Sequence, residues 1–133
     1  MNDLLGPLVT TARDNTAVSA ITTRVRGGQL ATGDVAPAVV IVSLSNTRSP
    51  FGPGRSRLGL QGPRFGANCY GVTAIQATQL AGVVSDSLHQ LSPRTISGKT
   101  FHEILDDGSG GPILDPATGW ALATVIFQVT GVA

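Results

Sequence analysis

Apolar residues recur at steps of three and four between residues 72 and 93, which is the clearest periodic stretch of the chain. The stripe consists of Ala74, Ala77, Leu80, Val84, Leu88 and Leu91. This spacing predicts an α-helix with one buried face. Thr73 followed by Gln76 predicts a capping box at its start, and Pro93 predicts its end. Ile75 lies off the stripe, which indicates contact with a neighbouring element or another subunit.

Residues 3–23 predict two short helical elements. The first covers residues 3–15, and its apolar stripe consists of Leu4, Leu5, Leu8 and Ala12. A second turn is expected over residues 16–23, with Val18 and Ile21 directed inward. Residues 24–37 contain glycines and a proline, which favour a loop.

A run of β-branched residues at positions 38–44 predicts a central strand covered on both faces, because a half-exposed strand would alternate with polar residues. Residues 45–54 are rich in Pro, Gly, Asn and Ser and predict a loop. Residues 55–60 and 63–70 then predict strand, with Phe65, Ala67 and Cys69 on one face. We therefore expect an extended hairpin that projects from the sheet.

The C-terminal third predicts two further strands. Residues 94–105 begin with a turn at positions 97–98 and continue as a strand. Residues 106–111, with the sequence DDGSGG, predict a flexible turn, and residues 115–119 predict another. The last strand is expected over residues 120–130. Its apolar face consists of Ala121, Ala123, Val125, Phe127 and Val129.

Adjacent strands on either side of one long helix favour an α+β fold. The expected architecture is an antiparallel or mixed sheet of about four strands, with helices packed on one face and a projecting hairpin or loop. At 133 residues, the chain 1–133 is expected to form a single domain.

Composition adds a hint about partners. Charged residues make up only 13% of the chain, against roughly 25% in a typical soluble domain, which indicates that much of the surface is covered by partners. The net charge of +1 provides no global attraction to nucleic acid or membrane. The lone Cys69 suits a reducing compartment and is expected to be a buried structural thiol. We expect no signal peptide and no membrane-spanning segment.

Charge is distributed unevenly along the chain. Residues 24–64 contain six arginines and one acid, a sum of +5, whereas residues 103–115 contain four acids and no base, a sum of −4. These segments are either two solvated loops or complementary patches that meet between copies. The candidate interface residues are Arg48, Arg55, Arg57, Arg64, Glu103, Asp106, Asp107 and Asp115.

Motifs for chemistry are weak. Gly98-Lys99-Thr100 ends like a phosphate-binding loop, but position 93 is proline where that motif needs glycine. His102 and Glu103 are adjacent in a predicted strand and therefore point to opposite faces. The sequence pattern does not place a nucleophile, a base and an orienting group within reach of one another. We therefore expect no catalytic residues, no metal, no cofactor and no enzymatic activity.

Several features carry a resemblance to one family. They are the opening helix with Leu4, Leu5 and Leu8, the 18–25 segment leading to a strand at 37–41, the Asn68-Cys69-Tyr70-Gly71 junction with the helix at 73–91, and the turn and strand starting at 115–120. Taken together they resemble the tail terminator, or tail completion, family of minor tail proteins of long-tailed phages.

That resemblance implies a structural role in the virion, after assembly in the host cytoplasm. Six copies would form a ring that caps the tail tube and then meets the head–tail connector, and the genome DNA would pass through the lumen without specific binding. The partners implied are further copies, the tail tube protein and neck proteins. Two alternatives remain: a head-to-tail joining protein of the connector, and a nucleic-acid-binding module.

Overall fold

The computed structural model describes residues 5–47, 62–89, 94–96 and 99–132. Its helices are α1 (Leu5–Asp14), α2 (Thr16–Ser19) and α3 (Ala74–Leu88). Its strands are β1 (Val25–Gly27), β2 (Ala38–Thr47), β3 (Gly62–Gly71), β4 (Arg94–Ile96), β5 (Lys99–Leu114) and β6 (Ala121–Val132).

The strands form one mixed sheet in the order β1-β2-β3-β6-β5-β4. β1 runs parallel to β2, and the other neighbouring pairs are antiparallel. The predicted α+β class is confirmed. The four long strands correspond to the four expected, and the sheet gains a three-residue strand at each edge.

The hydrophobic core lies between this sheet and the helices. Phe65, Ala67 and Cys69 of β3 are buried as the alternation predicts. The same is true of β6, whose buried residues are Ala123, Val125, Phe127 and Val129. Above them, α3 buries the predicted stripe from Ala77 to Leu88, and α1 adds Leu8 and Ala12 to the same cluster.

Helix α3 begins with the predicted cap. The Thr73 hydroxyl accepts a hydrogen bond from the Gln76 amide at 3.1 Å, and the Gln76 side chain accepts one from the Val72 amide at 2.8 Å. The side chain of Gln76 thus reaches one residue further back than in the usual capping box. The helix ends at Leu88, before Pro93, because His89 has extended backbone angles. Leu91 and Pro93 lie outside the described residues.

Gly71 allows α3 to lie directly on the end of β3. A Cβ atom at this position would be 2.5 Å from the Ala77 amide nitrogen and 2.9 Å from the Thr73 carbonyl oxygen. No side chain fits in that space without moving the helix backbone. The Tyr70-Gly71 junction is therefore the point that fixes the helix against the sheet.

The prediction of a loop over residues 24–37 was wrong at its start. Residues 25–27 form β1, which pairs with residues 39–41 of β2. Three residues are too few to produce a recognisable alternation, and only Val25 is buried. Strand β2 is covered on both faces only over residues 38–41, since Leu44 is 50% exposed.

The prediction of a flexible turn at residues 106–111 was also wrong, because these residues lie inside β5. The register with β6 shifts twice, between Asp106 and Gly108 and between Gly110 and Ile113. The glycines therefore form bulges in a continuing strand rather than a chain reversal. The reversal comes at 115–119, as predicted. The predicted strand at 55–60 and the turn at 97–98 lie outside the described residues.

Candidate interaction surface

The arginines proposed for an interface are only partly within the described chain. Arg48, Arg55 and Arg57 lie outside it. Arg64 is half-buried in β3, where it pairs with Gln128 of β6, and Gln128 pairs in turn with Leu105 of β5. Arg64 therefore lies in the same transverse row of the sheet as the first part of the acidic segment.

The four proposed acids do not share one loop. Glu103 and Asp106 pair with Thr130 and Phe127 along β5, and Asp107 is the extra residue of the first bulge. Asp115 follows β5 at the far end of the strand. Because β5 contains two one-residue bulges, its partner strand gives the span: Thr130 and Ala121 of β6 are nine residues apart, so Glu103 and Asp115 are separated by about 30–33 Å. The structure thus spreads the predicted acidic patch along β5, with Asp106 and Asp107 in the middle of the strand and Asp115 beyond its end, and its contact with another copy stays a prediction.

Asp115 organises the turn between β5 and β6. Its carboxylate accepts hydrogen bonds from the Thr118 hydroxyl at 2.8 Å and the Ala117 amide at 3.3 Å. Its amide donates to the Trp120 carbonyl oxygen at 2.8 Å. The carboxylate therefore already has partners within its own turn.

The same turn places Trp120 edge-to-face against Tyr70, with ring centroids 5.9 Å apart. Burial, followed by the negative charge of Asp115, raises the pKa of the Tyr70 hydroxyl above its ordinary value. Trp120 thus anchors the start of the last strand against the end of β3.

Part of the basic segment is neutralised within the chain. Arg26 forms a bidentate pair with Asp34, through Nε at 2.9 Å and a terminal nitrogen at 3.1 Å. The hydrogen bonds that Arg26 donates to Asp34 lower the pKa of the carboxyl group and raise that of the guanidinium. Arg24 donates to the carbonyl oxygen of Val35 at 2.8 Å. These two arginines therefore hold the loop before β2.

Exposed apolar residues are concentrated at one end of the sheet. Gly71, Ala121 and Leu114 lie in one transverse row, so that Val72 and the end of β5 lie at the same end of the sheet. We call this surface the apolar end, and it consists of Val72, Ile75, Pro112 and Leu114; Ile113 is also exposed, but it pairs with Leu122 and lies on the opposite face of the sheet. Ile75 is 72% exposed and Leu114 is 70% exposed. No charged residue occurs in 70–85 or in 108–114.

Sequence reasoning found Ile75 but missed the rest of the apolar end. Residues 112–114 were separated from the helix by a supposed flexible turn. In the structure, Pro112 lies beside the first turn of α3 and borders the same depression as Ile75. The only available signal was that Ile75 lies off the helical stripe.

Two shallow depressions run along α3 on this side. One, of about 280 Å³, lies between Ile75 and Pro112. The other, of about 330 Å³, lies between α3 and β5 and is lined largely by small residues such as Gly82, Ser109 and Gly110. They share Thr78, and Asp86 is the one titratable residue among those lining either depression. Titratable groups do not converge there.

Candidate chemistry elsewhere in the described chain is limited. Burial raises the pKa of the Cys69 thiol to about 12, which keeps it protonated and unreactive. Within the described ranges, no group of three His, Cys, Asp or Glu side chains is placed to hold a metal ion. None of the helices described is long and apolar enough to cross a membrane.

Comparisons with known proteins give a fold relationship. No family model matches the chain, and no curated protein matches it. Among solved structures, it matches a chain of the "Virion of native gene transfer agent (GTA) particle" with a TM-score of 0.70 and 12% sequence identity. The match covers 98% of this chain and 95% of that chain. The two chains therefore share their fold over nearly their whole lengths.

Proposed function

We propose that this protein is a structural component of a phage-type virion, and specifically a tail terminator. The observation that carries the proposal is its fold, which matches a chain of a gene transfer agent virion over 98% of its length. The finer assignment rests on the resemblance noted in the sequence, and the opening helix and the junction of Tyr70 and Gly71 with α3, which carry that resemblance, are present in the described chain.

The surface supports an assembly role. Monomeric proteins rarely leave clustered apolar side chains in water, and such clusters mark contacts with other macromolecules. Here the apolar end combines that exposure with an absence of charge, as in the centres of stable subunit interfaces. The two depressions beside α3 are shallow, and Asp86 is the one carboxylate among the residues that line them.

In this proposal, identical copies form a closed ring, for which we take six as the expected number. The ring caps the tail tube, joins it to the head–tail connector, and lets DNA pass through its lumen. A ring needs a heterologous interface, in which one patch of a subunit meets a different patch of the next. Arginines of residues 45–64 would meet acids of residues 103–115 on a neighbouring copy.

The test is assembly with purified components. We expect the protein to form rings in solution, measured by native mass spectrometry, or to do so on tails isolated without it, seen by negative-stain microscopy. Bound rings should appear at the head-proximal tip of the tail. Isolated heads provide the control.

Binding to heads but not to tails would replace the terminator with a head-to-tail joining protein. A protein that remains monomeric and binds neither heads nor tails would reject the structural role altogether. Binding that instead follows DNA and weakens steeply with salt would favour a nucleic-acid-binding module.

A further inference from the structure

We propose that the apolar end of one copy receives residues 48–61 of a second copy, in a head-to-tail contact. This inference rests on the proposed function, because it assigns the two complementary patches that a ring or a stack of rings requires. Residues 48–61 connect β2 to β3, and the apolar end lies beside the start of α3.

The receiving surface is shaped for an apolar group. Ile75 and Pro112 border the depression of about 280 Å³, whose lining is almost entirely apolar. Val72 is 67% exposed and Leu114 is 70% exposed beside it. Leaving these side chains in water is unfavourable, and covering them gains free energy in proportion to the area removed from solvent.

The inserting segment leaves the opposite end of the sheet. The last register pair of the β2–β3 ladder is Thr47 with Gly62, and the other end of that ladder pairs Ala38 with Tyr70. From Gly62 to Gly71 the strand spans about 30 Å. The connecting segment and the apolar end are therefore far apart on the same molecule.

Chain length excludes the segment's own apolar end as its binding site. A loop held at both ends extends from its anchors by at most half its contour length, which for residues 48–61 is about 25 Å. This reach is shorter than the length of β3, which the segment would have to cover to contact the apolar end of its own molecule. A second copy placed end to end has no such limit, and two different ends that fit each other define a heterologous contact.

The segment also has matching chemistry. Residues 48–61 contain Phe51, Leu58 and Leu60 as apolar groups, together with three arginines and no acid. The apolar end contains no base that would repel those arginines. Asp86 lies farther along the same side of α3, and Asp115 follows Leu114 directly. Insertion of the apolar side chains into the apolar end would therefore be favoured by burial of apolar surface and by contacts between the flanking arginines and these carboxylates.

A cysteine pair tests the contact directly. In the double variant Leu58→Cys with Ile75→Cys, mild oxidation should give a ladder of covalent multimers on a denaturing gel. The matched control is Leu58→Cys with Val35→Cys, because Val35 is also an exposed apolar residue but lies in the loop before β2. Cys69 stays in place, since it is buried.

A second variant measures the contribution of the surface. Ile75→Asp places a charge where we expect an apolar group to dock, and should weaken self-association about tenfold or more, measured by sedimentation velocity. Val35→Asp should leave association unchanged. Ile75 is largely exposed, so the circular dichroism spectrum of the variant should match the parent.

The outcomes separate the two proposals. Rings that form without a 58–75 crosslink, and that tolerate Ile75→Asp, would overturn the contact and leave the tail terminator role standing. A chain that shows neither multimers nor binding to tails or heads would overturn both. Crosslinking equal to that of the Val35 control would indicate random collision and reject the contact.

Discussion

Asp34 carries a charge that is held by hydrogen bonds from two neighbouring residues. Its carboxylate accepts hydrogen bonds from the Arg26 guanidinium and, at 2.8 Å, from the Ala31 amide. The hydrogen bond from Arg26 is the main cause of its lowered pKa. Because folding lowers this pKa, the pair stabilises the protein fully above the ordinary value of 3.8, and this contribution is lost as the pH falls through the folded-state pKa.

We therefore predict that Asp34→Asn is less stable than the parent at neutral pH, and that the difference in free energy of unfolding disappears in strong acid. Urea unfolding from about pH 7 to about pH 2 measures this difference. Asp14→Asn, at an exposed position at the end of α1, is the control. A difference that stays constant over the whole range would show that Asp34 acts through shape rather than charge.

Residue roles were predicted from sequence with uneven success. The burial of Cys69 followed from the alternation along residues 65–69 and is confirmed. Asp115 was grouped with the acids of β5 because they are close in sequence. Its carboxylate instead closes a turn with Thr118, at the opposite end of the strand from Glu103. Net charge per segment cannot reveal this, because it carries no information about chain direction.

At the scale of elements, hydrophobic periodicity predicted the long helix and the long strands but not the short or glycine-rich ones. Long amphipathic segments such as α3 and β6 were identified with their buried faces, because many residues repeat the same signal. Strand β1 and the second half of β5 were missed. The three residues of β1 are too few to show an alternating pattern. The glycine-rich residues 108–111 resemble a turn in sequence, and only their continued pairing with β6 shows that the strand continues.

The junction between β3 and α3 provides a prediction at this scale. Gly71→Ala should destabilise the protein by about 1–3 kcal/mol, because its Cβ atom would overlap the backbone of Ala77 and push α3 from the sheet. The midpoint of urea unfolding measures the effect.

Gly82→Ala is the matched control for this prediction. It makes the same change inside α3, where a Cβ atom would meet nothing within 4 Å. It should therefore stabilise the protein by up to about 1 kcal/mol through helix propensity. Two variants with equal stability would show that α3 does not depend on close approach at Gly71.

At the scale of the whole molecule, the apolar end could not have been predicted. It joins Val72 and Ile75 to Pro112 and Leu114, which lie at the same end of the sheet only because β3, β6 and β5 align in one register. The same alignment places the β2–β3 connection at the other end. A chain with different surfaces at its two ends is suited to head-to-tail assembly, which generates rings when the rotation between copies closes.

Charge provides the last prediction about that assembly. Within the basic half of the chain, Arg26 is paired with Asp34, which leaves the arginines of residues 48–64 as the larger source of positive charge. Replacing Arg55 and Arg57 by Glu should break up rings or stop their binding to tails, because carboxylates would then face the acids of a neighbouring copy. Thr10→Glu, at an exposed position on α1, is the control. Raising salt to about 1 M should weaken the parent ring partly, since it screens the exposed charges and leaves apolar contacts intact. An unchanged mass for the Arg55 and Arg57 variant in native mass spectrometry would mean that the copies associate through apolar surface alone.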